Sequence, residues 1–141
     1  MNSAPASSCA DFLDLGYRAD IKVLTVRWLR SVSREELQAG FEQARQLSVE
    51  QGATHWLVDV RRRTSLDAVS SAWVARDFLP TVARGLGSRL MIAYLLSPAR
   101  EAVLRIDPGM RAATDAALDP AQPYSLRTFM DEGPAVSWLL A

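Results

Sequence analysis

Asp59, Arg61, Arg62, Arg63 and Thr64 stand together where an apolar run of strand length, Thr54 to Val60, passes through a basic turn into a helix. Three guanidinium groups beside the free backbone donors and positive end of a helix suit an anion. Ser97, expected at the end of the neighbouring strand, and Arg100, one helical turn further on, can converge with them on a phosphate or a carboxylate. In a sheet of parallel strands, such strand ends are where ligands and partners are met. The same residues also have an ordinary reading. The arginines are then solvated loop charges, the hydroxyls only cap helices, and Asp59 pairs with a nearby arginine or closes the turn after it.

Other chemistries find less support. His55 is the single histidine, and as the first residue of its strand it stands about 13 Å from Asp59 by strand rise, too far for a Ser-His-Asp triad. Cys9 is the single cysteine, which excludes an internal disulfide and any multi-cysteine metal site. It has no cationic neighbour in sequence to activate it as a nucleophile. The glycines form neither a phosphate-binding loop nor a dinucleotide fingerprint, and there is no nucleophile elbow or zinc-binding pair. Trp28, Trp56, Trp73 and Trp138 fall on different elements and read as core or interface residues. The expectation is a protein with no catalytic residues, no metal and no cofactor.

The elements that must position these groups follow from periodicity and capping. Phe12 to Arg18 and Lys22 to Trp28 form a hairpin, the second run alternating Val23, Thr25 and Arg27 against Leu24, Val26 and Trp28. Ser33-Arg34-Glu35-Glu36 is a capping box for a first helix with the stripe Leu37, Phe41, Ala44 and Leu47, closed by Gly52. His55 to Val60 is a strand apolar on both faces, as for a central strand covered on both sides. Thr64 to Asp67 repeats the capping pattern and opens a second helix with Val69, Ala72, Ala75, Leu79 and Val82 inward. Pro80 should kink or divide that helix, and Gly85 and Gly87 should end it. Leu90 to Leu96 is a buried strand. Ser97-Pro98 caps a third helix, which Asp107-Pro108-Gly109 interrupts. Tyr124 to Phe129 is the last strand, and Asp131 caps a terminal helix with Ala135, Trp138 and Leu139 inward. The order ββαβαβαβα predicts a single α/β domain over residues 12–141, with an antiparallel hairpin first and a parallel sheet after it. Residues 1–11 read as a disordered tail.

Composition narrows the class. The 141 residues fit one domain, and 49% hydrophobic with 23% charged residues is ordinary for a folded chain that needs no staple. Sixteen basic and sixteen acidic residues leave no net field to attract nucleic acid or an anionic membrane. The beginning has neither a basic n-region nor an apolar h-region, so it does not read as a signal peptide, and no apolar run is long enough to span a bilayer. The expected location is the cytoplasm.

The element order, with Asp59 ending the third strand, resembles the STAS domain of bacterial anti-sigma-factor antagonists. It is most similar to small STAS-like (SpoIIAA-like) bacterial proteins in which a tryptophan-bearing second helix runs into a Phe-Leu-Pro turn, here Trp73 and Phe78-Leu79-Pro80. Gly87, Phe129, Asp131 and Trp138-Leu139 extend the likeness, which covers roughly residues 13–140. The resemblance implies a regulatory, protein-interaction module. Antagonists of that family carry a phosphorylated serine early in the second helix. Matching Asp67 to the motif's aspartate places Ala68 at that serine, and alanine has no hydroxyl to accept a phosphoryl group. Ser65, Ser70 and Ser71 lie nearby but off the position. The expectation is therefore a non-enzymatic module without the serine switch. The alternative is a small anionic-ligand or nucleotide binder using the strand-end crevice near Asp59 and Arg61 to Thr64. A homodimer through the first hairpin is also expected, with Tyr17, Val23 and Trp28 supplying apolar area against the charges Arg18, Asp20 and Lys22.

Overall fold

The computed structural model describes residues 9–63 and 67–141. Five strands, β1 (Leu13–Arg18), β2 (Val23–Trp28), β3 (His55–Asp59), β4 (Leu90–Leu95) and β5 (Tyr124–Phe129), form one sheet in the order β1-β2-β3-β4-β5. The β1–β2 hairpin is antiparallel, and every later pairing is parallel. No helix among the described residues is long and apolar enough to cross a membrane.

Parallel strands that follow one another in sheet order, joined by right-handed crossovers, carry their connecting helices to a single face. That face takes α1 (Arg34–Gln51), α2 (Ala68–Trp73), α3 (Leu79–Leu86), α4 (Pro98–Ile106) and α5 (Pro108–Leu118). Among the described residues, only the terminal helix, α6 (Glu132–Leu140), is left for the other face. There Ala135 and Leu139 close over Val23, Leu57, Ala93 and Leu95. Because the strand order never reverses, the sheet has no switch-point crevice of the doubly wound kind. A site must form between sheet and helices instead.

The local signals of α1 all appear. Ser33 Oγ accepts from Glu36 N at 3.1 Å while Ser33 N donates to the Glu36 carboxylate at 2.9 Å, and Gly52 ends the helix at φ 64°. Gly40 lets α1 approach β2. A Cβ there would stand 2.6 Å from the Trp28 ring, which packs 5.1 Å from Phe41. Overpacking of this kind costs about 1–3 kcal/mol, while alanine gains about 1 kcal/mol of helix preference. Gly40→Ala should therefore lose about 1 kcal/mol net, read as a lower urea midpoint. An unchanged midpoint would mean that Trp28 has room to move.

The second helix departs from expectation at its start and its middle. Asp67 is its N-cap, its carboxylate accepting from Ser70 N at 2.6 Å. Thr64, expected to open the helix, lies outside the described residues, as does Ser65. Val69, expected inward, is 63% exposed, and Ser70 is buried in its place. Between α2 and α3 the helix widens into a π turn, Val74–Phe78, where Leu79 N reaches back five residues to the Val74 carbonyl. In this five-residue register the carbonyl of Ala75 would pair with the amide of residue 80, which proline lacks. Tyr124 Oη donates to that carbonyl instead, at 2.7 Å. The helix is thus divided at Pro80, as expected, and the Tyr124 phenol of β5 satisfies the orphaned acceptor.

Three further expectations change. Cys9, assigned to the tail, is buried in the main core. Asp131 adopts the extended N-cap backbone of α6 but makes no side-chain cap hydrogen bond. Val23 and Trp28 are each 1% exposed, because β2 is an inner strand covered on both faces. Those two side chains are not available to a dimer interface.

Candidate functional site

Parallel register sets Arg27 of β2 beside Asp59 of β3, both on the α6 side of the sheet. Arg27 donates to Asp59 at 3.0 Å and, through both terminal nitrogens, to the Glu132 carboxylate at 3.0 Å. Arg61 donates its backbone N–H and Nε to Asp59 Oδ1 at 3.0 Å and Nη2 to Oδ2 at 2.8 Å. Asp59 therefore accepts four donors and has little capacity left for a ligand. It ties β2 and the turn after β3 together, while Glu132 ties in the first turn of α6. Burial works to raise the Asp59 carboxyl, but the hydrogen bonds of Arg61 and Arg27 outweigh it and hold the group below its usual value. The Arg27 hydrogen bonds hold Glu132 down as well.

A depressed carboxyl contributes stability that is present above its unfolded pKa, about 3.9 for Asp and 4.3 for Glu, and is lost as pH falls through the lower folded value. Acid unfolding should therefore steepen from about pH 5 downward. Asp59→Asn should flatten that dependence in denaturation midpoints measured across the acid range. A variant with the wild-type slope would show that the network is not what acid breaks.

Arg63 has the opposite environment. It is 8% exposed, its Cζ lies 5.6 Å from the Trp28 ring centroid, and its Nε has no hydrogen-bond partner. Arg100, 5% exposed, uses its backbone N–H to satisfy Ser97 Oγ at 3.2 Å, while its Nε is likewise unpartnered. Among the described residues neither guanidinium forms an ion pair. Burial pushes Arg63 below the ordinary arginine value, with Tyr94 and Asp67 opposing. Burial, and then the charge of Arg63, does the same to Arg100. Among the described residues these are two buried like charges with no carboxylate in ion-pair contact, Asp67 acting on Arg63 only through its field.

Arg63 and Ser70 line a cavity of about 80 Å³ between α2, the π turn, α5 and the sheet. Its wall is mainly apolar, with Leu79, Leu104, Met110 and Leu126, and Tyr94, Ser71, Thr114 and Thr128 add polar groups. Burial pushes the Tyr94 phenol up to about 12. The buried side-chain polar atoms without a partner among the described residues are Arg63 Nε, Arg100 Nε, Ser70 Oγ and Trp28 Nε1. Two of them belong to residues lining the cavity, Trp28 lies under Arg63, and Arg100 feels the charge of Arg63. The larger depression near Lys22, Thr54 and His55, about 460 Å³, lies at the other end of β3 and holds none of them.

The expected cluster thus divides. Asp59 and Arg61 form a structural ion network, Arg62 is exposed on the loop, and Thr64 lies outside the described residues. Ser97 caps α4, and among the described residues Arg63 and Arg100 are the buried arginines of the cluster without an ion pair. Ser70, Tyr94, Arg27 and Glu132 escaped sequence reasoning. Ser70 reads as a solvent-facing helix serine until the helix start is known, and Arg27 reads as one polar residue of an alternating strand. His55 contacts only its neighbour Thr54, at 3.0 Å, among the described hydrogen bonds. No family model matches this chain, and no curated protein matches it.

Proposed function

We propose that this chain is a non-enzymatic regulatory domain with a STAS-like fold, and that its working site is the arginine-lined cavity, which takes a small anionic ligand. One observation carries the reading: among the described residues Arg63, which lines the cavity, and Arg100 are buried with their Nε atoms unpartnered and form no ion pair. An unpaired buried charge costs several kcal/mol, and a bound anion would offset it. Asp59 and Arg61, the other expected contacts, are already paired with each other. The test is thermal denaturation at fixed ionic strength with phosphate, sulfate, nucleotides and organic acids. A ligand present at a hundredfold its Kd should add about 2.7 kcal/mol, and Arg63→Met with Arg100→Met should abolish the shift. If no anion moves the melting temperature, the reading fails.

A second reading, docking of a protein partner without a serine switch, has its own observation. Ala68 begins α2, and beside it Val69 is an exposed apolar side chain where the family likeness places the contact helix. Binding of a partner that is insensitive to kinase treatment but lost in Val69→Glu would favour it.

A further inference from the structure

We infer that the cavity takes a short-chain monocarboxylate, its head group on Arg63 and its aliphatic end against the apolar wall. This rests on the ligand-binding reading above and narrows it to one chemical class.

Charge sets the head group. Arg63 is the one arginine among the lining residues, so the cavity itself offers one cation. Its planar fork matches a carboxylate bidentately. Ser70 Oγ, buried and without a partner, supplies a hydroxyl donor to the same space. Arg100 adds positive potential from behind. A phosphate dianion would set two charges against this one cation, and desolvating the excess charge costs free energy.

Volume sets the tail. A dry cavity of ~150 Å³ lined by aliphatic and aromatic residues holds one benzene, so 80 Å³ holds about three or four carbons. Leu79, Leu104, Met110 and Leu126 give those carbons an apolar surround. Ser71, the other serine of the wall, directs its hydroxyl to the Met110 sulfur at 3.6 Å, so that stretch presents no free donor to a second polar group. A polar head and a short apolar tail match this division of the wall. A nucleotide is too large and too polar for it.

The experiment is calorimetric titration of the purified full chain with the straight-chain series acetate to decanoate, with inorganic phosphate and butyramide as controls. Tryptophan fluorescence gives a second readout, because Trp28 lies under Arg63. Affinity should peak at butyrate and pentanoate, with phosphate and butyramide at least tenfold weaker. Arg63→Met should lose at least tenfold for every acid. Ala117→Leu, which fills the cavity wall and leaves Arg63 in place, should move the optimum to a shorter acid. Binding of phosphate or a nucleotide without the carboxylates would overturn this inference and leave the broader anion reading standing. Absence of any anion binding would overturn both. Carboxylate binding that survives both substitutions would place the acid elsewhere and overturn the site.

Discussion

Asp59→Asn should destabilise the folded chain by about 2–4 kcal/mol, the largest stability loss expected from any single change in the candidate cluster. Asp59 is 11% exposed at its side chain and receives Arg27 from β2 and Arg61 from its own turn. Removing its charge leaves both guanidinium groups short of a partner, and asparagine offers one acceptor where the carboxylate offered two. Breaking a fully buried pair costs about 3–5 kcal/mol. The figure here is lower because Arg61 and Glu132 are 39% and 41% exposed, so water recovers part of the loss. Urea denaturation measures it directly, with a lower midpoint at unchanged slope. Hydrogen exchange should show α6 loosening first, since Arg27 also holds Glu132 at its first turn. A loss below about 0.5 kcal/mol would show that the network forms without contributing stability.

Arg63→Met should act in the other direction, raising stability while removing the anion response. Among the described residues the guanidinium forms no ion pair, and its closest compensation is the Trp28 ring at 5.6 Å, with Asp67 acting only through its field. A cation–π contact of this kind returns about 0.5–2 kcal/mol, against several kcal/mol for the uncompensated charge. Methionine keeps most of the volume, has no charge to desolvate and suits an apolar wall. The net gain should be about 1–2 kcal/mol, or a few degrees in melting temperature for a domain of this length. The two readouts separate the causes. A gain in stability with loss of ligand-induced stabilisation identifies Arg63 as a binding residue held at the expense of stability. A loss of stability would make Arg63 a structural residue whose compensation lies in the contact with Trp28.

How much of this was legible beforehand depends on the range of each interaction. Elements were legible because their signals are local: the Ser33 capping box, the Gly52 and Gly87 caps, Ser97-Pro98 and the alternation of β2 each involve residues a few positions apart. The order ββαβαβαβα with an antiparallel opening hairpin followed from them, and the arginines and strand-end aspartate of the candidate cluster were visible as a run. Which of them remain free was not. Arg27 and Asp59 are thirty-two residues apart and Arg27 and Glu132 one hundred and five; parallel register brings the first pair to 3.0 Å, and the packing of α6 on the sheet the second. The strand order, read only from the assembled sheet, put the connecting helices on one face and moved the cavity away from Asp59. Pro80 announced a disturbance in the helix, but the π turn that absorbs it depends on Tyr124, forty-nine residues from Ala75. The sequence by itself determined the elements, because capping and periodicity are settled within one or two turns of chain. Only the tertiary structure decided which arginines are neutralised and which are left buried without a partner, because ion pairing is governed by distance in space.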